Sequence, residues 1–447
     1  MVKKTPPIFS QETYIVTIKR IGIYGEGVTE IEGFTVFVPL AIPGEIHKVR
    51  LTDIHTTFAR AQSIEILSTS PYRKKAPCPL FGTCGGCQIM HVDYSYQLEK
   101  KREKVQDAMD RIAKISCLVN PCIASPLQLH YRNKIQMPAL CKDTSISFGL
   151  YAADSHDIVE IETCYIHSEE GNYVYKQIKS FINKEFPSLI PYIHALLLKT
   201  SFYKKESLAT FITTKEEISS LSHMAHLLIE KIPSLKGVTQ NWGSHHTNRW
   251  IGSHHRILAG EGEIEEKILD LSFHISPAAF FQVNPLQAEV LYKYVVELCK
   301  NLPLSHIVDA YCGVGTLSLI LCQYLHIPVT GIEVVKEAVE NAQKNALYNH
   351  LPQAKFIEGT VEKKLQSCLP VELVILNPPR KGCDKAALEA LCLEKTAYLI
   401  YISCDPATLA RDLAFLCSKG YKPHSLQPFD LFPQTMHIET VAFLSWQ

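Results

Sequence analysis

The pattern of apolar and polar positions changes character along this chain, and the changes divide it. Short β-like runs occupy residues 14–19, 35–38, 45–51 and 59–66, with Gly22, Gly25, Gly27, Gly33 and Gly44 between them. Glycines at strand ends turn corners, so this region reads as a small barrel. Residues 93–118 read as one helix in which Tyr94, Leu98, Val105, Met109 and Ile112 drift along one face. The charged remainder of that helix is expected to face solvent. From His130 to about Ile275 strands and loops dominate, with helices expected over 179–187 and 218–232.

Beyond this region the alternation becomes regular. Helix 287–299 is followed by strand 305–309, helix 316–325, strand 329–333 and helix 336–349. Strands 355–357 and 373–376, helix 385–393, a strand closing at Cys404, helix 407–416 and a final strand 439–446 complete the series. Alternating strands and helices call for a mostly parallel, doubly wound sheet. The expected fold class is therefore α/β, a Rossmann-like domain over 276–447, preceded by the barrel over 1–70 and a central α+β domain over 71–275. A chain of 447 residues exceeds one ordinary core, which agrees with several domains.

Charge adds little. Lys plus Arg and Asp plus Glu both number 45, so any nucleic acid must be met by local patches and not by a global field. The basic segment Tyr72-Arg-Lys-Lys75 is one such patch, read as a solvated tether with possible phosphate contact. No apolar run is long enough for a membrane span, and Met1-Val-Lys-Lys-Thr-Pro-Pro leads into no signal-peptide core, so the expected location is the cytoplasm. In a reducing compartment fifteen cysteines point to metal ligation, catalysis or burial before disulfides.

Three groups of residues carry candidate chemistry. The first strand of the regular region runs into Asp309-Ala-Tyr311-Cys-Gly313-Val-Gly315-Thr316, a glycine-bearing turn suited to a nucleotide-type cofactor. Glu333, 18 positions beyond Gly315, closes the next strand, where a carboxylate accepts hydrogen bonds from ribose hydroxyls. Cys404 closes an apolar strand just before Asp405-Pro406 opens a helix, at the strand end where open sheets hold ligands. Glu439 lies between Ile438 and Val441, where desolvation raises a carboxylate's pKa toward a range useful for proton transfer. Arg380, after two prolines, suits a phosphate or base contact, and Phe280 and Phe281 suit either stacking or core. Finally, Cys78, Cys84 and Cys87 have glycine-rich C-x5-C-x2-C spacing. Zinc and an iron–sulfur cluster both fit that spacing, and Cys117, Cys122, Cys141 and Cys164 are all open as a fourth ligand. His245-His246, with His254-His255, lacks metal-ligand spacing.

Taken together, Ser276-Pro-Ala-Ala-Phe-Phe-Gln282-Val-Asn284, Asp309–Thr316, Glu333, Asn377-Pro-Pro-Arg-Lys-Gly382, Ser403-Cys-Asp-Pro-Ala-Thr-Leu-Ala-Arg-Asp412 and Phe432-Pro-Gln-Thr-Met-His-Ile-Glu439 occur in the order found in RNA uracil-5-methyltransferases. The chain resembles that family over nearly its whole length. Its first segment resembles the TRAM domain, an OB-like RNA-binding module, although glycine-turned strands fit any small barrel. The resemblance implies S-adenosylmethionine as cofactor, contacted by Gln282, Tyr311 and Glu333, with Gly313, Gly315, Thr316, Thr360 and Asn377 around it. It implies Cys404 as the nucleophile on uracil carbon 6 and Glu439 as the base that removes the carbon 5 proton. It also implies a [4Fe–4S] cluster held by Cys78, Cys84, Cys87 and Cys164, and an RNA partner, 23S rRNA, acted on by a monomer. Thr316, Thr360 and Asn377 depart from the family's commoner Asn, Asn and Asp, and an amide at 377 lacks the acid's charge. Three further readings stay open: a tRNA 5-methyluridine enzyme, a methyltransferase on exocyclic amines suggested by Asn377-Pro-Pro, and a non-catalytic RNA-binding protein on this fold.

Overall fold

The computed structural model describes residues 11–142, 144–243 and 254–447, so His245-His246 and Met1–Pro7 lie outside the described residues. Six strands, Thr13–Thr17, Arg20–Ile21, Gly27–Ile31, Phe34–Val38, Ile46–Ile54 and Phe58–Ser68, make the first sheet. In sheet order they run first, fifth, sixth, fourth, third, second, and Thr29 Oγ1, donating to Thr17 O at 2.8 Å, draws the first strand against the third. Val16, Ile18, Val36, Val38, Val49, Leu51 and Ala59 fill the interior. The buried Glu45 carboxylate fixes the chain's exit from the barrel: it accepts from Arg73 Nε at 2.5 Å and Nη2 at 2.7 Å, and from the Ser70 and Ile42 amides. The basic tether is thus partly internal, because Arg73 is bound at both ends of its guanidinium.

The central sheet orders His254–Gly260, Leu235–Trp242, Ser207–Thr213, Ile193–Thr200, Lys134–Lys142, Ser145–Tyr151 and Ile158–Glu160. Helices Glu169–Glu185 and Leu221–Lys231 share its apolar core. The first of these begins ten residues ahead of the expected 179, because Ser168 caps it by accepting from Gly171 N while its opening turn is polar.

The third sheet positions the chemistry. Its order is Ala354–Glu358, Val329–Glu333, Ile307–Ala310, Leu373–Leu376, Tyr398–Ser403, Glu439–Trp446 and Tyr421–Phe429, the first five parallel and the last two an antiparallel return. Strand Tyr421–Phe429 is absent from the sequence reading: Pro423 and Pro428 mask it, and it lies beyond Glu439–Trp446 near the sheet's edge, where proline is tolerated. Residues 119–123 extend this edge through bridges from Val119 to Leu426 and from Ile123 to Phe429.

The helix expected over 93–118 is shorter, Tyr94–Ala108 with a π-helical turn Met109–Ala113, and Lys114 ends it in a left-handed conformation. Val105, Ala108 and Met109 pack into the same core as Leu409 and Leu413 of the third domain. Its polar side is not uniformly solvated as expected. Lys101 is fully buried, ion-paired with the buried Asp430 and donating to Phe432 O at 3.0 Å. The hairpin Ile264–Ile268 and Leu271–Ile275 also packs with the third sheet's helix Pro285–Cys299, ahead of the expected boundary at 276. Among the described residues no helix is long and apolar enough to cross a membrane.

Removing one partner of a buried ion pair leaves an uncompensated charge, which costs about 3–5 kcal/mol. Lys101→Met is therefore expected to lower the free energy of unfolding by that amount, and a second change, Asp430→Leu, to recover most of it; urea unfolding of both variants checks this.

Candidate active site

The numbering of the parallel strands runs outward in both directions from Ile307–Ala310, so the sheet's switch point lies between that strand and Leu373–Leu376. Ligands of open α/β sheets bind in the crevice at the carboxyl ends there. Tyr311, Glu333, Thr360, Asn377 and Cys404 all follow or close strands of this edge.

Tyr311 sits at φ +70, a strained conformation for a bulky residue, and its buried hydroxyl beside Cys383 finds no hydrogen bond of ordinary geometry. Gly313, at φ +57, opens on empty space where a side chain would stand. At Gly315, φ +77, a Cβ would lie 2.7 Å from Phe356, so packing also demands the glycine. The Glu333 carboxylate accepts from Gly313 N at 3.1 Å and from Val335 N at 2.8 Å, tying the turn to the adjacent strand. Asp309, fully buried, accepts from Ser318 Oγ at 2.6 Å; burial pushes its pKa up to about 7. Thr316 begins the following helix and is buried, Thr360 precedes helix Val361–Lys364, and Asn377 donates its amide to Ala310 O at 3.3 Å. Gln282 lies on a loop pinned from the central domain: Asn133 Nδ2 donates to Gln282 O at 3.1 Å, and the buried Lys199 donates to Ser276 O and Ala279 O at 2.7 and 2.6 Å.

Cys404 follows the largely buried strand Tyr398–Ser403. Asp405 caps the next helix, accepting from Ala407 N at 2.9 Å and Thr408 N at 3.0 Å, with Pro406 in its first turn. Antiparallel pairing sets Ser403 against Thr440, so the next residues outward, Cys404 and Glu439, meet across the strand ends. Glu439 is 5% exposed, and among the described residues its carboxylate has no ion pair or hydrogen bond. Burial alone pushes its pKa up to about 8, the direction expected from its apolar flanks. The Cys404 thiol is pushed up to about 11, by burial first and then by Glu439, against the opposing charge of Arg380. Both groups are thus biased toward their neutral forms, and each must lose its proton before it can act.

Several residues without a role in the sequence reading hold this arrangement. Asp412 accepts from Tyr401 Oη at 2.6 Å, Cys383 N at 2.9 Å and Arg411 Nε at 2.8 Å, tying the loop after Arg380 to the Cys404 helix. A Cβ on Gly382 would stand 2.5 Å from Arg411, which explains the glycine closing Asn377–Gly382. His437 is surrounded by Arg380, Lys104, Lys101 and Arg132, and burial, with these cations, lowers its pKa to about 4. The glycine at 382 and the Arg411-Asp412 pair were visible signals; the cation ring, drawn from distant segments, was not.

Cys78, Cys84, Cys87 and Cys164 line one small apolar cavity of about 40 Å³. Gly86 N donates to Cys84 Sγ at 3.4 Å, and Arg132 offsets the mutual repulsion that, with burial, raises the Cys87 thiol. Cys117 and Cys122 lie instead in the third domain's core, and Cys141 is exposed. Among the described residues no three His, Cys, Asp or Glu side chains converge on a single-ion site.

Residues 93–447 match the sequence model described as tRNA (Uracil-5-)-methyltransferase, and residues 10–64 that of the TRAM domain. An uncharacterized RNA methyltransferase of Clostridium tetani is 34% identical over 100% of this chain and 99% of its own length. One from Caldanaerobacter subterraneus is 36% identical over 97% of this chain and 98% of its own. The crystal structure of Pyrococcus abyssi tRNA (uracil-54, C5)-methyltransferase with S-adenosyl-L-homocysteine superposes with a TM-score of 0.76 at 24% identity, covering 96% of this chain and 100% of that one, a likeness of fold. By the extent of these matches, the chain belongs to the RNA uracil-5-methyltransferase family and carries that family's methyltransferase fold behind an N-terminal TRAM domain.

Proposed function

We propose that this protein methylates carbon 5 of a uridine in RNA, using S-adenosylmethionine. The meeting of Cys404 and Glu439 at the ends of two paired strands, beside the switch-point crevice, carries this reading. When bound, S-adenosylmethionine supplies an electrophilic methyl group. The residues that fit it are Glu333 toward the ribose, the turn Gly313–Thr316, and Gln282, Tyr311, Thr360 and Asn377 around the crevice; the open space at Gly313 and the unpaired Tyr311 hydroxyl support that fit.

Uracil carbon 5 is a poor nucleophile until carbon 6 is attacked. Cys404 releases its thiol proton to solvent and the resulting thiolate sulfur bonds to carbon 6, shifting the electron pair of the 5,6 double bond onto carbon 5 and carbonyl oxygen 4. The Arg380 charge favours the thiolate over the thiol. Once carbon 5 has taken the methyl group, the Glu439 carboxylate removes its remaining proton. The released pair restores the double bond and expels the Cys404 thiolate. A uridine reaches this buried pair only when turned out of its stack, which is cheapest in a single-stranded loop.

The four cysteines, in our reading, hold a [4Fe–4S] cluster. What supports this reading is that all four thiols line one cavity, as four thiolate ligands of such a cluster would. The cluster supplies cross-linking of the segments 78–87 and 164, and no methyl-transfer step runs through it. We place the domain boundaries near 70 and 263, with helix Tyr94–Ala108 belonging to the catalytic unit.

The target we favour is 23S rRNA, on the combined presence of the barrel and the cysteine cluster. A tRNA target is the second reading, supported by the tRNA-directed Pyrococcus enzyme, whose fold spans 96% of this chain, barrel included. Mapping 5-methyluridine across ribosomal and transfer RNA, with and without the protein, is expected to show loss at a 23S position; loss confined to tRNA selects the second reading.

Cys404→Ala is expected to abolish methylation while RNA binding stays within about threefold, measured by methyl incorporation and filter binding. Glu439→Gln leaves the adduct unable to shed its proton, so RNA remains linked to protein on denaturing gels. In the unaltered protein Glu439 is protonated below about 8 and cannot accept a proton there, so the ratio of linked to released methylated RNA falls as pH rises through that value. Anaerobically purified protein is expected to bind iron and absorb near 400 nm, an approximate position typical of thiolate-to-iron charge transfer. Cys164→Ser should lose both.

A further inference from the structure

We infer that Tyr24, at the tip of the barrel's Gly22–Glu26 loop, is a stacking site for an unpaired nucleobase flanking the target uridine. The inference rests on the proposed RNA methyltransferase reading and adds a contact to it.

The loop is locally closed: Gly22 N donates to Glu26 O at 2.7 Å, Gly25 N to Gly22 O at 3.1 Å and Tyr24 N to Glu26 Oε2 at 3.1 Å. It is also fastened to the catalytic side. Lys104 donates to Ile23 O at 3.2 Å and to Met436 O at 2.9 Å, so one ammonium joins the loop tip to the segment that leads, three residues later, to Glu439. Gly25, at φ +94, leaves no room for a Cβ, which would stand 2.8 Å from Gln88 and 3.3 Å from Met436. The backbone under Tyr24 is thereby held against the rim of the crevice.

On this held support, Tyr24 and Ile23 are 74% and 59% exposed. A backbone already held in place lowers the entropy cost of docking a partner there, and the open ring favours a partner with a flat face. Lys104, which holds the loop tip, feels the charges of Asp405 and exposed Arg380, and Arg380 acts in turn on Cys404, so rim and sulfur share one electrostatic neighbourhood. Cationic Arg380 and Lys381 beside the rim suit a phosphate-linked chain, and base–aromatic stacking serves any base sequence. A base turned out next to the target uridine, already unstacked from its neighbours, supplies the flat face.

The test uses full-length protein and RNA isolated from cells lacking it, which carries the unmethylated target. Methylation of that RNA by the unaltered protein tests the underlying reading alone; its absence would sink that reading before Tyr24 is reached. Given activity, Tyr24→Ala is expected to raise KM about tenfold, as loss of one stacked base implies, with a much smaller change in kcat. Tyr24→Phe should restore KM, since the ring and not the hydroxyl stacks. On a synthetic stem-loop of the mapped target whose flanking loop nucleotides are abasic, the two proteins should have equal KM. An unchanged KM for Tyr24→Ala, no rescue by Tyr24→Phe, or a difference that persists on the abasic RNA would each overturn the assignment.

Discussion

The site depends on one register. Because Ser403 pairs with Thr440, Cys404 and Glu439 emerge together at the ends of antiparallel neighbours, one from a strand in the parallel series and the other from the strand that returns beside it. A slip of one residue would turn each side chain to the opposite face of the sheet. The register is itself held from outside the sheet. Lys101 grips Asp430 and the Phe432 carbonyl, Lys104 grips Met436, and Gln97 grips Gln434, so helix Tyr94–Ala108 fixes the approach to Glu439 along most of its length.

Much of the catalytic fold was legible because its signals are local. Helix Thr316–Leu325 and strands Val329–Glu333, Leu373–Leu376 and Glu439–Trp446 fall where periodicity puts them, and apolar flanks foretold the direction of the Glu439 shift. What failed had partners far away in sequence. Lys101 reads as a surface residue until Asp430, 329 positions later, is folded against it. Strand Tyr421–Phe429 carries two prolines and is identified only by its neighbour Glu439–Trp446. The raised proton affinity of the Cys404 thiol was hidden for a related reason, since burial, the larger cause, and Glu439, the smaller, both come from the folded surroundings.

The cysteine pocket shows a third case, in which spacing limited the chemistry without fixing it. C-x5-C-x2-C left four candidate partners, and the folded chain brings Cys164 to the same cavity as Cys78, Cys84 and Cys87 while leaving Cys117, Cys122 and Cys141 elsewhere. The segment around Cys164 is also hydrogen-bonded to Asn172 and bridged to Arg132, the residue whose neighbour Asn133 holds Gln282. Cysteine pocket and crevice are thus joined by a few residues of continuous backbone.

The burial of Glu439 also bears on how one catalytic cycle gives way to the next. In the proposed reaction the proton stripped from uracil ends on a carboxyl group with almost no contact with water and an affinity for protons far above that of a surface glutamate. That burial and that raised affinity belong to the RNA-free protein, so departure of product does not by itself strip the proton, which must still pass to solvent before the carboxylate can serve again. Product departure and proton release are then separate events, and the enzyme's readiness for another uridine waits on the second.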